Sequence, residues 1–193
     1  MTNATNGFSA WLIGVFEDLR DALTFEQALH VILERLKTIL AYQSAAMLLM
    51  DGDTNQLHIR NARQISYSFV KKFARDLQGA VLSRVLLKLE TIALEDLAPT
   101  SAAYQEVRLE HEFTTACLAP VIYRQRAVGY VHCDRAAGPA FSVTEQQRLQ
   151  AIGALIGLLL EKFELQELSR HLDRVDEPSS ALKYLAFLEE YYR

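Results

Sequence analysis

The stretch from 142 to 172 constrains this chain more than any other. Ser142-Val143-Thr144-Glu145 has the form of a capping box. In that motif the first hydroxyl bonds the backbone three residues on and the acid reaches back. At about 100° per residue, Leu149, Ile152, Ile156, Leu159 and Phe163 fall on one face of the helix it opens. Ala154, Leu158, Leu165, Leu168 and Leu172 fall on nearly the opposite face. A helix that is apolar on two sides is either deeply buried or bridges two bodies. The first stripe covers the sheet of its own domain. The second runs past any plausible sheet, with spacings that suit a coiled-coil seam.

The beginning of the chain carries a similar signal. Phe8, Leu12, Val15, Leu19 and Ala22 follow one another by four, three, four and three, a heptad-like pattern suited to packing along another helix. The expected contact between two copies therefore joins Phe8, Leu12, Val15 and Leu19 to Leu158, Leu165, Leu168 and Leu172. The alternative is that both stripes pack within one chain, the closing helix against the opening one.

Between these ends lies a mixture of helix and strand. Thr24-Phe25-Glu26-Gln27 is a second capping box, predicting a helix over 25–42. SAAMLLM over 44–50 reads as a buried strand, Asp51-Gly52-Asp53 as a turn, and the alternating stretch 56–61 as the strand that closes a hairpin. The segment 66–89 reads as helical with a break near Gly79. A short strand is expected over 91–94 and a short helix over 102–109 inside a loop. TACLAPVIY over 115–123 and AVGYVHCD over 127–134 are joined by only three residues, which implies an antiparallel pair. Pro120 marks an edge position or a bulge in the first of them.

Composition removes several function classes. Half of the 193 residues are hydrophobic, enough for a full core. The net charge is −4 and no long basic stretch offers a footprint for nucleic acid. The most apolar run, 151–160, is half the roughly 20 residues a membrane span needs. The leader is polar and lacks the basic start of a secretion signal, so a cytoplasmic protein is expected. Cys117 and Cys133 have no metal-site spacing and are too few for a disulfide framework. There is no P-loop, nucleophile elbow, zinc pair or acidic dyad. No catalytic residue, metal or cofactor is expected.

Three patterns, in this order, resemble the GAF domain: the helix and strand over 23–50, the Pro-centred hairpin Cys117 to Val131, and Phe141-Ser142-Val143-Thr144-Glu145 leading to Leu149, Ile152, Gly153 and Ala154. The resemblance implies an α+β fold: an antiparallel sheet with the N- and C-terminal helices on one face and a helical insert, about 62–113, on the other. It divides the chain into an N-terminal helical extension (1–22), the domain proper (23–168) and a C-terminal tail or start of an output domain (169–193). It also implies a bacterial-type sensory or regulatory module, often dimeric, with a small-molecule pocket beneath the insert. The alternatives are a ligand-free dimerisation module and, at greater distance, a redox enzyme like the free methionine sulfoxide reductases. Cyclic-nucleotide-binding members carry Asn-Lys, Phe and Asp-Glu. Asp134-Arg135, Phe141 and Glu145-Gln146 stand here, a departure that counts against that ligand. Neither Cys117-Leu118 nor Cys133-Asp134 matches the Cys-His of bilin-binding members.

Five residues are candidate ligand contacts. Tyr104 and Arg108 lie four apart on the short helix, placed to cap an anionic or aromatic ligand, or to form a surface pair. His111, between Glu110 and Glu112, either senses pH or grips a ligand, or belongs to a solvated loop. Cys117 and His132 lie on the hairpin strands, where alternation puts His132 with Tyr130 and sets Val131 with Cys133 opposite. In the tail, Asp176, Ser179, Ser180, Lys183, Phe187 and Leu188 resemble the opening of a GGDEF diguanylate cyclase domain, with Ser179-Ser180 for Thr-Gly and Lys183 for Asn. The other reading of the tail is a short amphipathic docking helix.

Overall fold

The computed structural model describes residues 3–173, and side chains over 7–167. Six antiparallel strands form one sheet in the order β3-β2-β1-β6-β5-β4. They are β1 (Ser44–Met50), β2 (Gln56–Arg63), β3 (Arg75–Asp76), β4 (Ile92–Leu94), β5 (Thr115–Tyr123) and β6 (Arg126–Arg135). One face carries α1 (Asn3–Leu19), α2 (Phe25–Leu36) and α6 (Val143–Asp173). The other carries the insert: α3 (Tyr67–Lys72), α4 (Ala80–Leu87) and α5 (Ala102–Val107). The strands alternate between two separate cores. Ala45, Met47, Cys117, Val131 and Cys133 face the terminal helices, while Ala46, Leu48, Ala116, Leu118 and Tyr130 face the insert.

Both capping boxes form. Thr24 accepts from the Gln27 backbone while the Gln27 side chain accepts from Thr24. Ser142 and Glu145 exchange the same pair of bonds. The α2 helix stops at Leu36 rather than near 42 because the Thr38 hydroxyl bonds the Arg35 carbonyl at 2.7 Å and draws it out of the helical ladder. The region 66–89 is two short helices with an edge strand between them. That strand, β3, pairs Gln56 with Asp76 and Leu57 with Arg75. Pro120 takes the first of the two alternatives, an edge position, and itself pairs in register with Tyr130. It lies beyond the three β5 residues that β4 covers, and a bulge follows between Val121 and Ile122.

α6 lies close on β5. A side chain at Gly153 would overlap the Pro120 carbonyl, and one at Gly157 the Ile122 carbonyl. The inner stripe Leu149, Ile152, Ile156, Leu159 and Phe163 is buried as expected. On the outer stripe Ala154, Leu158 and Leu165 are exposed in the protomer; the side chains of Leu168 and Leu172 lie outside the described residues, as does the tail from 174 onward. The α1 expectation needs correction. Val15 and Leu19 are buried in the protomer's own core, together with Trp11, whose indole N–H donates to the Arg35 carbonyl at 2.8 Å. Phe8 and Leu12 are half-buried against the same core. A four-three spacing serves packing on α2 as well as packing on a second chain, and in α1 it serves α2. Among the described residues, the large apolar side chains that α1 leaves exposed are Ile13 and Phe16.

Candidate functional site

The polar chemistry under the insert begins on β6. Alternation turns Tyr130, His132 and Asp134 toward the insert, and all three are fully buried. The Asp134 carboxylate accepts the Ser44 backbone N–H at 3.0 Å and the Ser44 hydroxyl at 2.5 Å. His132 Nε2 stands 3.1 Å from the same carboxylate. The imidazole meets the Phe113 ring edge-on at 5.9 Å, and Phe113 stacks on Tyr104 at 4.6 Å. Asp134 thus fixes the imidazole through Nε2, as an orienting carboxylate does. Two atoms in this layer, His132 Nδ1 and the Tyr130 hydroxyl, are buried with no hydrogen-bond partner among the described residues. Leaving a buried polar atom unpaired costs about 1–3 kcal/mol, and such atoms call for an explanation.

The insert brings a charged pair to the same place. Arg75, on the edge strand β3, donates through Nη1 to the Glu106 carbonyl at 2.7 Å and through Nη2 to the Arg108 carbonyl. It thereby satisfies carbonyls at the C-terminal end of α5. Its guanidinium also lies 4.9 Å from the Phe73 ring centre. The Glu106 carboxylate turns the other way and accepts the Leu82 N–H at 2.5 Å, in the first turn of α4. Tyr130 registers both groups. Burial pushes its hydroxyl up to about 12, with Arg75 opposing and Glu106 adding to the shift. Arg75 stands beside that hydroxyl but outside hydrogen-bond geometry.

The five predicted residues separate. Tyr104 and His132 come together under the insert. Tyr104 is 1 % exposed, so it is a core residue and not half of a surface pair. Arg108 is exposed at the end of α5 and only its carbonyl joins the cluster. His111 lies at the rim, its Nε2 2.7 Å from the Gln64 carbonyl. Beside it, Glu110 accepts from the Ser66 hydroxyl and backbone N–H, and these hold its carboxyl below the ordinary range. The two residues staple the start of the insert to its end. Cys117 faces the terminal helices, so it cannot line a pocket beneath the insert. It stands directly across from Cys133. Burial pushes the Cys117 thiol up to about 12 and raises Cys133 well above its ordinary value. A nucleophilic thiol requires the opposite shift. Sequence reading missed Arg75 and Glu106. Nothing in the sequence sets them apart from the other charged residues of the insert, such as Arg84, Lys88, Glu95 and Glu110.

The residues at the cyclic-nucleotide motif positions form a clasp. Arg135 donates to the Ala41 and Pro139 carbonyls at 2.7 and 2.9 Å and pairs with Glu145 at 2.5 Å. Its guanidinium lies 3.9 Å from the Phe141 ring centre. This ties the end of β6 to the start of α6. Among the described residues no group of three or more His, Cys, Asp or Glu is placed to hold a metal ion, and no helix is long and apolar enough to cross a membrane.

A sheet sandwiched between terminal helices and a helical insert, with a polar layer buried beneath that insert, defines a class of small α+β domains. The GAF domain family model matches residues 22–161, and the chain belongs to that family. Comparison with curated proteins finds no match. Among solved structures, the chain is similar to the GAF domain of a phosphoenolpyruvate-protein phosphotransferase from Coxiella burnetii, with TM-score 0.74, 19% identity, and 86% of this chain and 99% of that one covered. The GAF domain of the corresponding Acinetobacter protein gives 0.72 at 14% identity, covering 86% and 97%. The free methionine-R-sulfoxide reductase from Neisseria meningitidis, in complex with its substrate, gives 0.71 at 12% identity, covering 86% and 95%. At these identities the likeness is one of fold.

Proposed function

We propose that this GAF domain is a regulatory sensor that takes a small molecule between sheet and insert and passes its presence to the terminal helices. The observation that carries the reading is the pair of buried, unpartnered polar atoms on β6, the Tyr130 hydroxyl and His132 Nδ1. They offer a ligand two polar contacts in an apolar enclosure, the arrangement that fixes orientation in small-molecule sites. The relay runs through α6, which packs on β5 and leaves Leu158 65% and Leu165 54% exposed. A second copy covers that stripe. The signal is then read by an output domain or a separate partner protein. A ligand shifts the helices only to the extent that it binds their two arrangements with different affinity.

Native mass spectrometry of freshly purified protein, followed by a thermal-shift screen of metabolites, tests the reading. A true ligand raises Tm with concentration as RT ln(1 + [L]/Kd), and Tyr130→Phe weakens that response. A flat screen favours the second reading, a ligand-free dimerisation module. What supports that second reading is the close filling of the insert face, where Tyr104, Val107, Leu109 and Phe113 are all buried.

A further inference from the structure

The sheet is open at its β4 end. β4 stands last in the strand order and pairs with β5 alone, through Ile92, Ala93 and Leu94. In an antiparallel ladder alternate residues turn their backbone N–H and C=O away from the neighbour. The outer rim of β4 therefore carries main-chain donors and acceptors that no described strand meets. Along that rim runs a cleft of about 340 Å³. Thr91, Ala93 and Glu95 line it from β4 and its flanks, Arg84 from α4 on one face of the sheet, and Phe141 and Gln146 from the start of α6 on the other. Free edges are ordinarily blunted or covered; this one lies recessed between the insert layer and the terminal-helix layer. Two side chains in the cleft also lack partners. The Thr91 hydroxyl is shut off from solvent with no hydrogen bond among the described residues, although a hydroxyl can both donate and accept. Glu95 is exposed and has no ion pair among the described residues. The other charged side chain of the cleft, Arg84, is already matched by Glu90 at 2.7 Å, and the Gln146 side-chain N–H is taken by the Phe141 carbonyl at 2.8 Å. The uncompensated charge of the cleft is negative.

We infer that this cleft docks an extended peptide segment of a partner protein, which adds a strand beside β4 and sets a lysine or arginine against Glu95. A row of alternating main-chain donors and acceptors is matched by another peptide backbone better than by any compact metabolite. In strand addition the backbone bonds supply affinity and the alternate side chains supply specificity. Here Glu95 selects a basic side chain and the Thr91 hydroxyl takes a polar group at the other end. Those two residues lie about 13 Å apart along the strand, so about three to four residues of peptide span the cleft. The docked segment touches α4 on one side and the start of α6 on the other, and so joins the insert to the helix of the proposed relay. The inference does not depend on a ligand beneath the insert, and the two can fail separately.

The test is an NMR titration of the full chain with acetyl-Val-Lys-Val-amide. Saturable shifts are expected at the Ala93 and Leu94 backbone amides and at the Gln146 side-chain amide. The same peptide methylated on every backbone nitrogen is expected to bind at least about tenfold more weakly, because its main-chain donors are gone. Glu95→Gln, a change at an exposed position, should weaken the lysine peptide by about two- to fivefold, the reach of an exposed ion pair. Glu95→Lys should transfer the preference to acetyl-Val-Glu-Val-amide. The inference is overturned by the absence of a saturable shift up to about 10 mM peptide, by equal binding of the N-methylated peptide, or by the same shifts from butylamine alone. It is overturned equally if the lysine peptide binds Glu95→Lys as well as it binds wild type.

Discussion

Gly153 and Gly157 set how closely α6 approaches β5. Each is placed where a methyl group would overlap a strand carbonyl, and backbone cannot yield as a flexible side-chain tip can. Gly157→Ala is therefore expected to cost about 1–3 kcal/mol, the usual penalty for overpacking. This would appear as a lower urea midpoint with an unchanged slope. The β5–β6 turn offers the converse experiment. Arg124 and Gln125 both hold positive φ, at 46 and 65, between the paired residues Tyr123 and Arg126. This is the two-residue loop that favours Asn-Gly, occupied here by two residues that strain to adopt it. Gln125→Gly should stabilise the domain by up to about 1 kcal/mol, and a midpoint that falls instead would show that the Gln125 side chain has a role of its own.

At the scale of elements, the Arg135 clasp governs how α6 leaves the sheet. Three acceptors on different segments converge on one guanidinium that is almost fully enclosed. A lysine cannot reproduce that fork, so Arg135→Lys is expected to lose about 1.5–3 kcal/mol. The clasp also has a pH signature. Burial pushes the Glu145 carboxyl up, but the Ser142 backbone and hydroxyl and Arg135 outweigh it, and the net shift is downward. The folded pKa therefore lies below the unfolded value of about 4.3. The stabilisation is complete above that value and is lost as pH falls through the folded pKa. The stability gap between wild type and Arg135→Met should be constant from about pH 7 to 5 and narrow below about pH 4; a gap that stays constant into acid contradicts the assignment.

Elements with a local signature were legible in the sequence. Both capping boxes, β5, the turn after β1 and the facing of Tyr130 with His132 follow from short-range pattern alone. The β3 strand did not, because two residues become a strand only through pairing with β2. Cys117 was assigned to the pocket because alternation says which residues share a face but not which layer covers it. Arg75 and Glu106 escaped for a related reason. Their partnership spans 31 residues and is created by the folding of the insert, with no spacing in the sequence to announce it. The α1 heptads misled because Val15 and Leu19 satisfy the same pattern whether the neighbouring helix is α2 or a second chain.

For the whole molecule, the decisive question is what covers the outer stripe of α6. Leu158 and Leu165 are exposed leucines two turns apart on one helix, and α1 adds Ile13 and Phe16 to the exposed apolar side chains. The double variant Leu158→Glu, Leu165→Glu is expected to halve the mass seen by light scattering while leaving the circular dichroism spectrum intact, because neither side chain supports the protomer's core. An unchanged mass would remove the second copy from the proposed relay. The close seating of α6 also limits what that relay can do. With two glycines laid against strand carbonyls, turning the rod about its own axis would drive its bulkier neighbours into the β5 backbone. What the rod can do without leaving the sheet is slide lengthwise or lean, so news from beneath the insert would travel outward as a piston stroke or a pivot, not as the turn of a screw.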